Sequence, residues 1–457
     1  MAEEQTNLAI NHYHSNYQKL LDEFLLFLKI PSISTSDGNK SDVINAADFL
    51  VRKLKEIGMQ NVKAWTTPKH PIIFAEHLTD PSKPTILLYG HYDVQPPDPI
   101  NQWESPPFEP TFKDEYLFAR GASDMKGQIW AMISALQTII ETGDLPVNIK
   151  FLIEGEEEIG SPSLENFLTN NKEMLKSDIV LNPDADMLSP DKPTIIYALR
   201  GMAYFELRLF GPSADLHSGI FGGVIDNPAN IISKIIASFH DQAGKVTIPG
   251  FYSKVRKISK QEKAELLRIG MDDNFFKKMT GVPALGGETA FQPVERIGSR
   301  PTLDVNGIYS GYIEPGAKTI IPSYAMAKFS TRLVPDQNPE EIYRNLQDYL
   351  GTIIPDSVRW ELDFLSGAKA YLTDEKAPGV DLFKQALKDT WHVDPIMKRE
   401  GGSIPVATAI KEILGLDSII TGFGLPDDQI HSPNERLHLP THKKGVEALI
   451  RFFMNFN

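Results

Sequence analysis

The chain has 457 residues, 41% hydrophobic and 23% charged, the composition of a folded globular protein and not of a disordered or collagen-like one. Acidic residues outnumber basic ones 60 to 46, and Lys and Arg nowhere cluster with aromatics, which disfavours nucleic acid and anionic membranes and favours small polar or cationic ligands. There is no cysteine, so no disulfide forms and any metal must be held by His, Asp and Glu. The acidic start Met1-Ala2-Glu3-Glu4-Gln5 lacks the apolar core of a secretory signal, and no apolar run approaches the about 18 residues of a membrane span. A cytoplasmic protein with no membrane partner is expected.

Leu20, Leu21, Phe24, Leu25 and Leu28 recur at helical spacing over Tyr17 to Leu28, and Ser41 opens a second amphipathic helix that ends before Gly58. Short apolar runs then alternate with helical stretches. They are Pro84 to Tyr89, a helix from Lys126 to Glu141, Val147 to Ile153, a helix near Ser163 to Asn170, and Asp178 to Leu181. That alternation predicts an α/β fold with a largely parallel sheet and helices on both faces. From about Leu199 the runs alternate polar with apolar, over Ala203 to Leu209, Tyr324 to Leu333 and Val358 to Phe364, with helices at Pro228 to His240 and Pro339 to Leu350. This reads as an inserted α+β domain, an antiparallel sheet carrying two helices. The helical pattern returns at Gly379 to Trp391, Ile404 to Ile413 and Lys443 to Phe453. The expected division is 1–199, 200–378 and 379–457, the first and last parts forming one domain.

Chemistry-bearing residues recur where the predicted parallel strands end, the edge at which open α/β sheets place their ligands. Gly90-His91-Tyr92-Asp93 closes one strand and sets a histidine and a carboxylate two residues apart, on one side of extended chain. Arg120 to Gly127 joins a strand to a helix, with Asp124 in the position of an N-cap. Glu154-Gly155-Glu156-Glu157-Glu158 leaves the next strand, and several carboxylates at one sheet edge repel each other unless a cation joins them. Asn182-Pro183-Asp184-Ala185-Asp186 ends a further strand, and His431 follows Thr421-Gly422-Phe423-Gly424. Each motif alone is weak. Together they form the ligand set of a two-metal hydrolase. Gly311 to Thr319 nearly spells a phosphate-binding loop, but Ala317 separates the Gly from the Lys and Pro315 spoils the turn, so nucleotide binding is not expected.

Gly90 to Pro96, Ser123-Asp124-Met125-Lys126-Gly127, Glu154 to Ser161, Leu199-Arg200-Gly201, Asp215 to Gly219 and Arg399 to Pro405 resemble, in this order, the motifs of the M20 metallopeptidases, closest to the carnosinase-like cytosolic dipeptidases. The resemblance implies a zinc-peptidase-like catalytic domain interrupted by a lid and dimerisation domain. It implies two divalent ions per subunit, zinc or manganese with cobalt also accepted, one held by His91, Asp124 and Asp184 and the other by Asp124, Glu158 and His431. Asp186 is the alternative to Asp184. Glu157 matches the general base and Asp93 the residue that positions His91. His217 matches a histidine that stabilises the oxyanion from the partner subunit, and Arg332, Ser403 and Thr319 match contacts to the substrate carboxylate. A cis peptide after Asp124 is expected on the same ground.

The implied activity is hydrolysis of dipeptides or similar small peptides with a free C-terminal carboxylate, by a homodimer joined through the inserted domain. An N-acyl-amino-acid deacylase on the same fold and a metal-binding protein without turnover are the alternatives. His12, His14, His70, His77, His240, His392, His438 and His442 fall outside any ligand-like grouping and are expected to be structural.

Overall fold

The structure, a computed structural model, describes residues 2–374, 376–402 and 404–456, Ala2 by its backbone alone. Ser403, expected at the substrate carboxylate, lies outside the described residues. The chain forms two compact units, one made of Met1–Tyr197, Thr373–Met397 and Pro405–Asn457, the other of Ala198–Leu372 and Lys398–Ile404. The short return Lys398–Ile404 thus goes with the second unit although it falls between two segments of the first.

In the first unit the sheet runs Gln60–Trp65, Ile72–His77, Asn148–Glu154, Thr85–His91, Ile179–Asn182, Ser418–Ile420 and then Thr194–Leu199. The four strands from Asn148–Glu154 to Ser418–Ile420 are mutually parallel. Those flanking them on either side are antiparallel. Parallelism is confined to the centre, where helices separate Thr85–His91 from Asn148–Glu154 and Asn148–Glu154 from Ile179–Asn182, whereas Gln60–Trp65 and Ile72–His77 are joined by a short loop. Every residue of Asn148–Glu154 is buried, as expected of a strand covered on both faces.

Helix Lys126–Thr142 is buried continuously from Lys126 to Ile139. It packs between the first helix and the last, Leu439–Asn455. Trp130 sits at that junction and donates its indole N–H to Leu20 O at 2.7 Å. The first helix covers Ala2–Leu28 and so starts well before the predicted Tyr17. Ala9, Ile10 and Tyr13 continue its buried stripe, but Glu3, Glu4, Asn7 and Asn11 between them dilute the periodicity in sequence.

The second unit carries an antiparallel sheet in the order Thr302–Ser310, Tyr324–Leu333, Gly201–Phe210, Arg359–Ala368. Burial alternates residue by residue along Gly201–Phe210 and Tyr324–Leu333. Phe205, Leu207 and Phe329 pack with Ile231, Ile232 and Ile235 of helix Pro228–Ser238 and with Ile342, Leu346 and Leu350 of helix Pro339–Ile353. Both helices start at an asparagine cap followed by proline. Three short helices, Lys260–Arg268, Asp273–Thr280 and Pro293–Ser299, were not anticipated, since each is too brief to show an apolar period.

Candidate metal centre

His91 is the last residue of strand Thr85–His91, Glu157 and Glu158 form a turn after Asn148–Glu154, Asp184 follows Ile179–Asn182, and His431 lies beyond Ser418–Ile420. All four segments leave parallel strands at their carboxyl ends. The site is therefore a direct product of strand direction.

Asp124 stands at its centre. Oδ1 of Asp124 is 3.1 Å from His91 Nε2, and Oδ2 is 2.9 Å from His431 Nε2. Asp184 Oδ1 lies 3.7 Å from His91 Nε2, and Glu158 Oε2 lies 3.2 Å from His431 Nε2. Two triads result, His91 with Asp124 and Asp184, and Asp124 with Glu158 and His431, each with its ligand atoms within 4.8 Å of one another. The Asp124–Met125 peptide is cis. Asp124 is not the helix cap that its position suggested: the helix begins at Lys126, Met125 holds the N-cap position, and the Asp124 carboxylate turns to the two imidazoles.

Asp93, fully buried, ties the two sides of this centre together. Its Oδ1 is 3.3 Å from His91 Nδ1, and its two oxygens accept the backbone N–H groups of Glu157 at 3.3 Å and Glu158 at 3.1 Å. Asn182 Oδ1 accepts the N–H of Asp184 at 3.1 Å. Gln95, to which the sequence reading gave no role, donates Nε2 to Glu158 Oε2 at 2.8 Å. Its position two residues after Asp93 is the signal that could have found it. Asp186 belongs to neither triad; it bridges to Gly424, with Oδ1 3.0 Å from where a Cβ on that glycine would lie.

The electrostatics follow from the crowding. Burial works to lower the His91 pKa, but hydrogen bonds with Asp124, Asp184 and Asp93 together hold it well above the usual imidazole value. His431 is raised to about 10 by Asp124 and then Glu158. Burial pushes the Asp124 carboxyl up, yet His431 and His91 outweigh it and hold it low. Glu157 is raised to about 8, first by burial and then by Asp184, Glu158 and Asp124, against the pull of His91. Several carboxylates and two imidazoles converging between a buried His91 and an exposed His431, all with nitrogen or oxygen donors, fit divalent cations. Among the described residues no other histidine joins such a cluster.

The remaining expected residues lie in the second unit. His217 is exposed, and its Nδ1 accepts the N–H of Gly219 at 3.0 Å. It does not cap helix Pro228–Ser238, whose cap is Asn227. Strand Leu216–His217 pairs with Ile320–Ile321, and Thr319 O accepts the Ser218 N–H at 3.1 Å. Arg332 is half-buried on Tyr324–Leu333, in register with Met202 and Thr302. The guanidinium of Arg200 is lowered to about 10 by burial and by the charge of Arg332. The loop from Gly311 to Thr319 leads into a two-residue strand and no helix, so it has no phosphate-binding turn.

A sheet with these carboxylates and imidazoles at its parallel edge is the design of a metal-dependent hydrolase. The model of peptidase family M20/M25/M40 matches residues 87–455, and the chain belongs to that family. It is 30% identical over 465 residues, 97% of this chain and 98% of the relative, to the Cys-Gly metallodipeptidase dug1 of Schizosaccharomyces pombe. It is 32% identical over 394 residues to the human Beta-Ala-His dipeptidase, covering 85% of this chain and 78% of that one. Among solved structures, the M20 family metallo-carboxypeptidase Sso-CP2 from Sulfolobus solfataricus superposes with a TM-score of 0.79 at 31% identity, covering 96% of this chain and 99% of that one.

Proposed function

We infer that this protein is a metal-dependent dipeptidase that binds two divalent ions and hydrolyses small peptides with a free C-terminal carboxylate. The observation that carries the reading is the single carboxylate of Asp124 shared between two His-and-carboxylate triads, with Glu157 beside them. In this reading His91, Asp124 and Asp184 hold one ion and Asp124, Glu158 and His431 the other. Bound there, zinc, manganese or cobalt would supply a Lewis acid and an acidified water.

The chain's own residues do the rest. Asp93 orients His91 through Nδ1 and, by holding the N–H groups of both Glu157 and Glu158, keeps the base and the ligand on separate bearings. Glu157, adjacent to the ligand Glu158 but in neither triad, is assigned to take a proton from the nucleophile and pass it to the leaving amine. Arg332, Ser403 and Thr319 are assigned to the substrate carboxylate, for which a guanidinium fork is suited. His217 is assigned to the developing oxyanion, donated by a second copy of the chain.

A homodimer through the second unit belongs to the same proposal. Its edge strand Thr302–Ser310 exposes Val305, Ile308 and Tyr309, and the segment after His217 exposes Ile220 and Val224, at 69% and 80%. Unpaired strand edges bearing apolar side chains are surfaces that a folded protein covers. Among the described residues no helix is long and apolar enough to cross a membrane; a cytoplasmic location is proposed, with subcellular fractionation as its check.

The curated relatives named above are dipeptidases, which favours that activity over the N-acyl-amino-acid deacylase. The test is a panel of dipeptides, including Cys-Gly and β-Ala-His, run beside N-acetyl amino acids on protein stripped with chelator and reloaded with zinc, manganese or cobalt. Dipeptide hydrolysis that returns only with metal is expected. Turnover of the acetylated compounds alone would replace the reading with the deacylase.

A further inference from the structure

Glu435 is fully buried, four residues beyond His431, and both of its oxygens are fully occupied. Oε1 accepts the backbone N–H of Ser123 at 3.0 Å and of Asp124 at 3.1 Å. Oε2 accepts the N–H of Gly121 at 2.9 Å and Nη1 of Arg120 at 2.7 Å. Three of these four donors are main-chain groups of the segment that ends in Asp124. Arg120, 1% exposed, uses its other terminal nitrogen on two carbonyls, Pro96 O and Ser432 O, each at 3.2 Å. Its guanidinium also lies over the Trp103 ring, 5.5 Å from the centroid.

The pair therefore joins three separate lengths of chain. Residues 91–96 carry His91, Asp93 and Gln95; residues 120–124 carry Asp124; residues 431–435 carry His431. A buried ion pair is a weak stabilising device, since removing both charges from water costs about as much as their attraction returns. What an apolar pair cannot do is offer four acceptor positions at one point and, through the guanidinium, reach two carbonyls on different loops.

We propose that Arg120 and Glu435 are positioning residues that set the separation of Asp124 from His431 and so determine how tightly the second triad binds its cation. This rests on the metal-binding reading above. Groups that hold ligands from behind typically change metal affinity by about 10–100-fold when removed.

The experiment compares the full-length wild type with Glu435→Gln, Arg120→Lys and a destabilised control, Leu449→Ala, whose side chain lies in the helical core. Zinc and manganese affinities are read by competition with a chelator, stability by urea unfolding of the metal-free proteins, and local order by hydrogen exchange at the amides of Gly121, Ser123 and Asp124. Glu435→Gln should weaken binding of one of the two ions 10-fold or more and speed exchange at those three amides. Arg120→Lys, which keeps the charge but not the fork to Pro96 and Ser432, should give a smaller loss of the same kind. Leu449→Ala should lose stability with its metal affinity intact.

Wild-type affinity in both clamp variants, or a loss matched by Leu449→Ala at equal stability, would overturn the proposal. A Glu435→Gln chain that does not fold leaves the decision to Arg120→Lys. Failure of the wild type to bind either cation would instead sink the dinuclear reading, and the amide exchange rates would still decide whether the pair holds the loop.

Discussion

Asp124 faces His431 at 2.9 Å with one carboxylate oxygen, although 307 residues of chain separate them. The other oxygen is turned to His91. One short side chain thus stands between two imidazoles that come from different strand ends. Consequences for neighbouring residues can be measured.

Glu157 and Glu158 are adjacent in the chain but differently engaged. Glu158 lies in a triad and is held by Gln95, whereas Glu157 is in neither triad. Glu157→Gln should retain its bound metal and lose at least the ~100-fold in turnover typical of a missing general acid or base. Glu158→Ala should lose one ion instead. Elemental analysis alongside steady-state kinetics checks both, and the opposite pattern would invert the two roles.

His442, which is in neither triad, gives a pH dependence of its own. Its ring stacks on Phe24 with centroids 5.9 Å apart, its Nε2–H donates to Gly127 O at 2.9 Å, and burial lowers its pKa to about 4. Between the unfolded value of roughly 6.5 and that folded value, only the unfolded chain takes up the proton. The stabilising contribution is therefore complete above about pH 6.5 and is lost as pH falls toward 4, by up to about 3 kcal/mol. Urea unfolding at pH 5 and pH 7.5 should show a larger acid loss in the wild type than in His442→Gln. Equal losses would show that this histidine does not carry the effect.

Gly422 has no room for a side chain, since a Cβ there would lie 1.3 Å from Ala185 O, the carbonyl that follows Asp184. Gly422→Ala must push the Asp184 loop outward, at a cost on the order of 3 kcal/mol. The expected outcome is a lower unfolding midpoint together with weaker metal retention. A variant that keeps wild-type metal content and stability would contradict the packing described around residues 184–186.

The assignment of His217 to a partner's reaction is tested by mixing. His217→Ala and Glu157→Ala chains should each be nearly inactive. After subunit exchange, a mixed dimer contains one site with an intact Glu157 and a His217 from the other chain, and part of the activity should return. Demonstrated exchange without recovery would leave His217 acting within its own chain. Removal of one oxyanion donor is worth about 10²–10³ in rate, which sets the sensitivity required.

The three central strands that end at Tyr89, Ile153 and Leu181 in the predicted pattern, the helices between them, the change of texture near Leu199 and the metal-binding residue types were legible in the sequence, whereas the flanking strands Gln60–Trp65 and Ile72–His77 were not. These depend on local periodicity and on which side chains follow each strand. The alternating burial of Tyr324–Leu333 is written in its residues. So is the return to helix at Val380–Trp391.

The sequence was silent where a polar residue's meaning depends on a distant contact. By local pattern Asp124 is a helix cap; its place between His91 and His431 was implied only by the family resemblance, and it is the folded chain that turns the carboxylate there. Local pattern does not separate Asp184 from Asp186, and the resemblance alone favoured the first; the course of the chain past Gly424 brings Asp184 to His91 and sends Asp186 elsewhere. Glu435 and Gln95 are ordinary surface-type residues by composition, and tertiary structure alone makes the first a buried acceptor for the Asp124 backbone and the second a half-buried donor to Glu158. A side chain's apolar burial can be read from its neighbours in sequence, because the hydrophobic effect has no direction. A hydrogen bond needs a partner at a set distance and angle, and that partner is supplied only when remote strands are laid side by side.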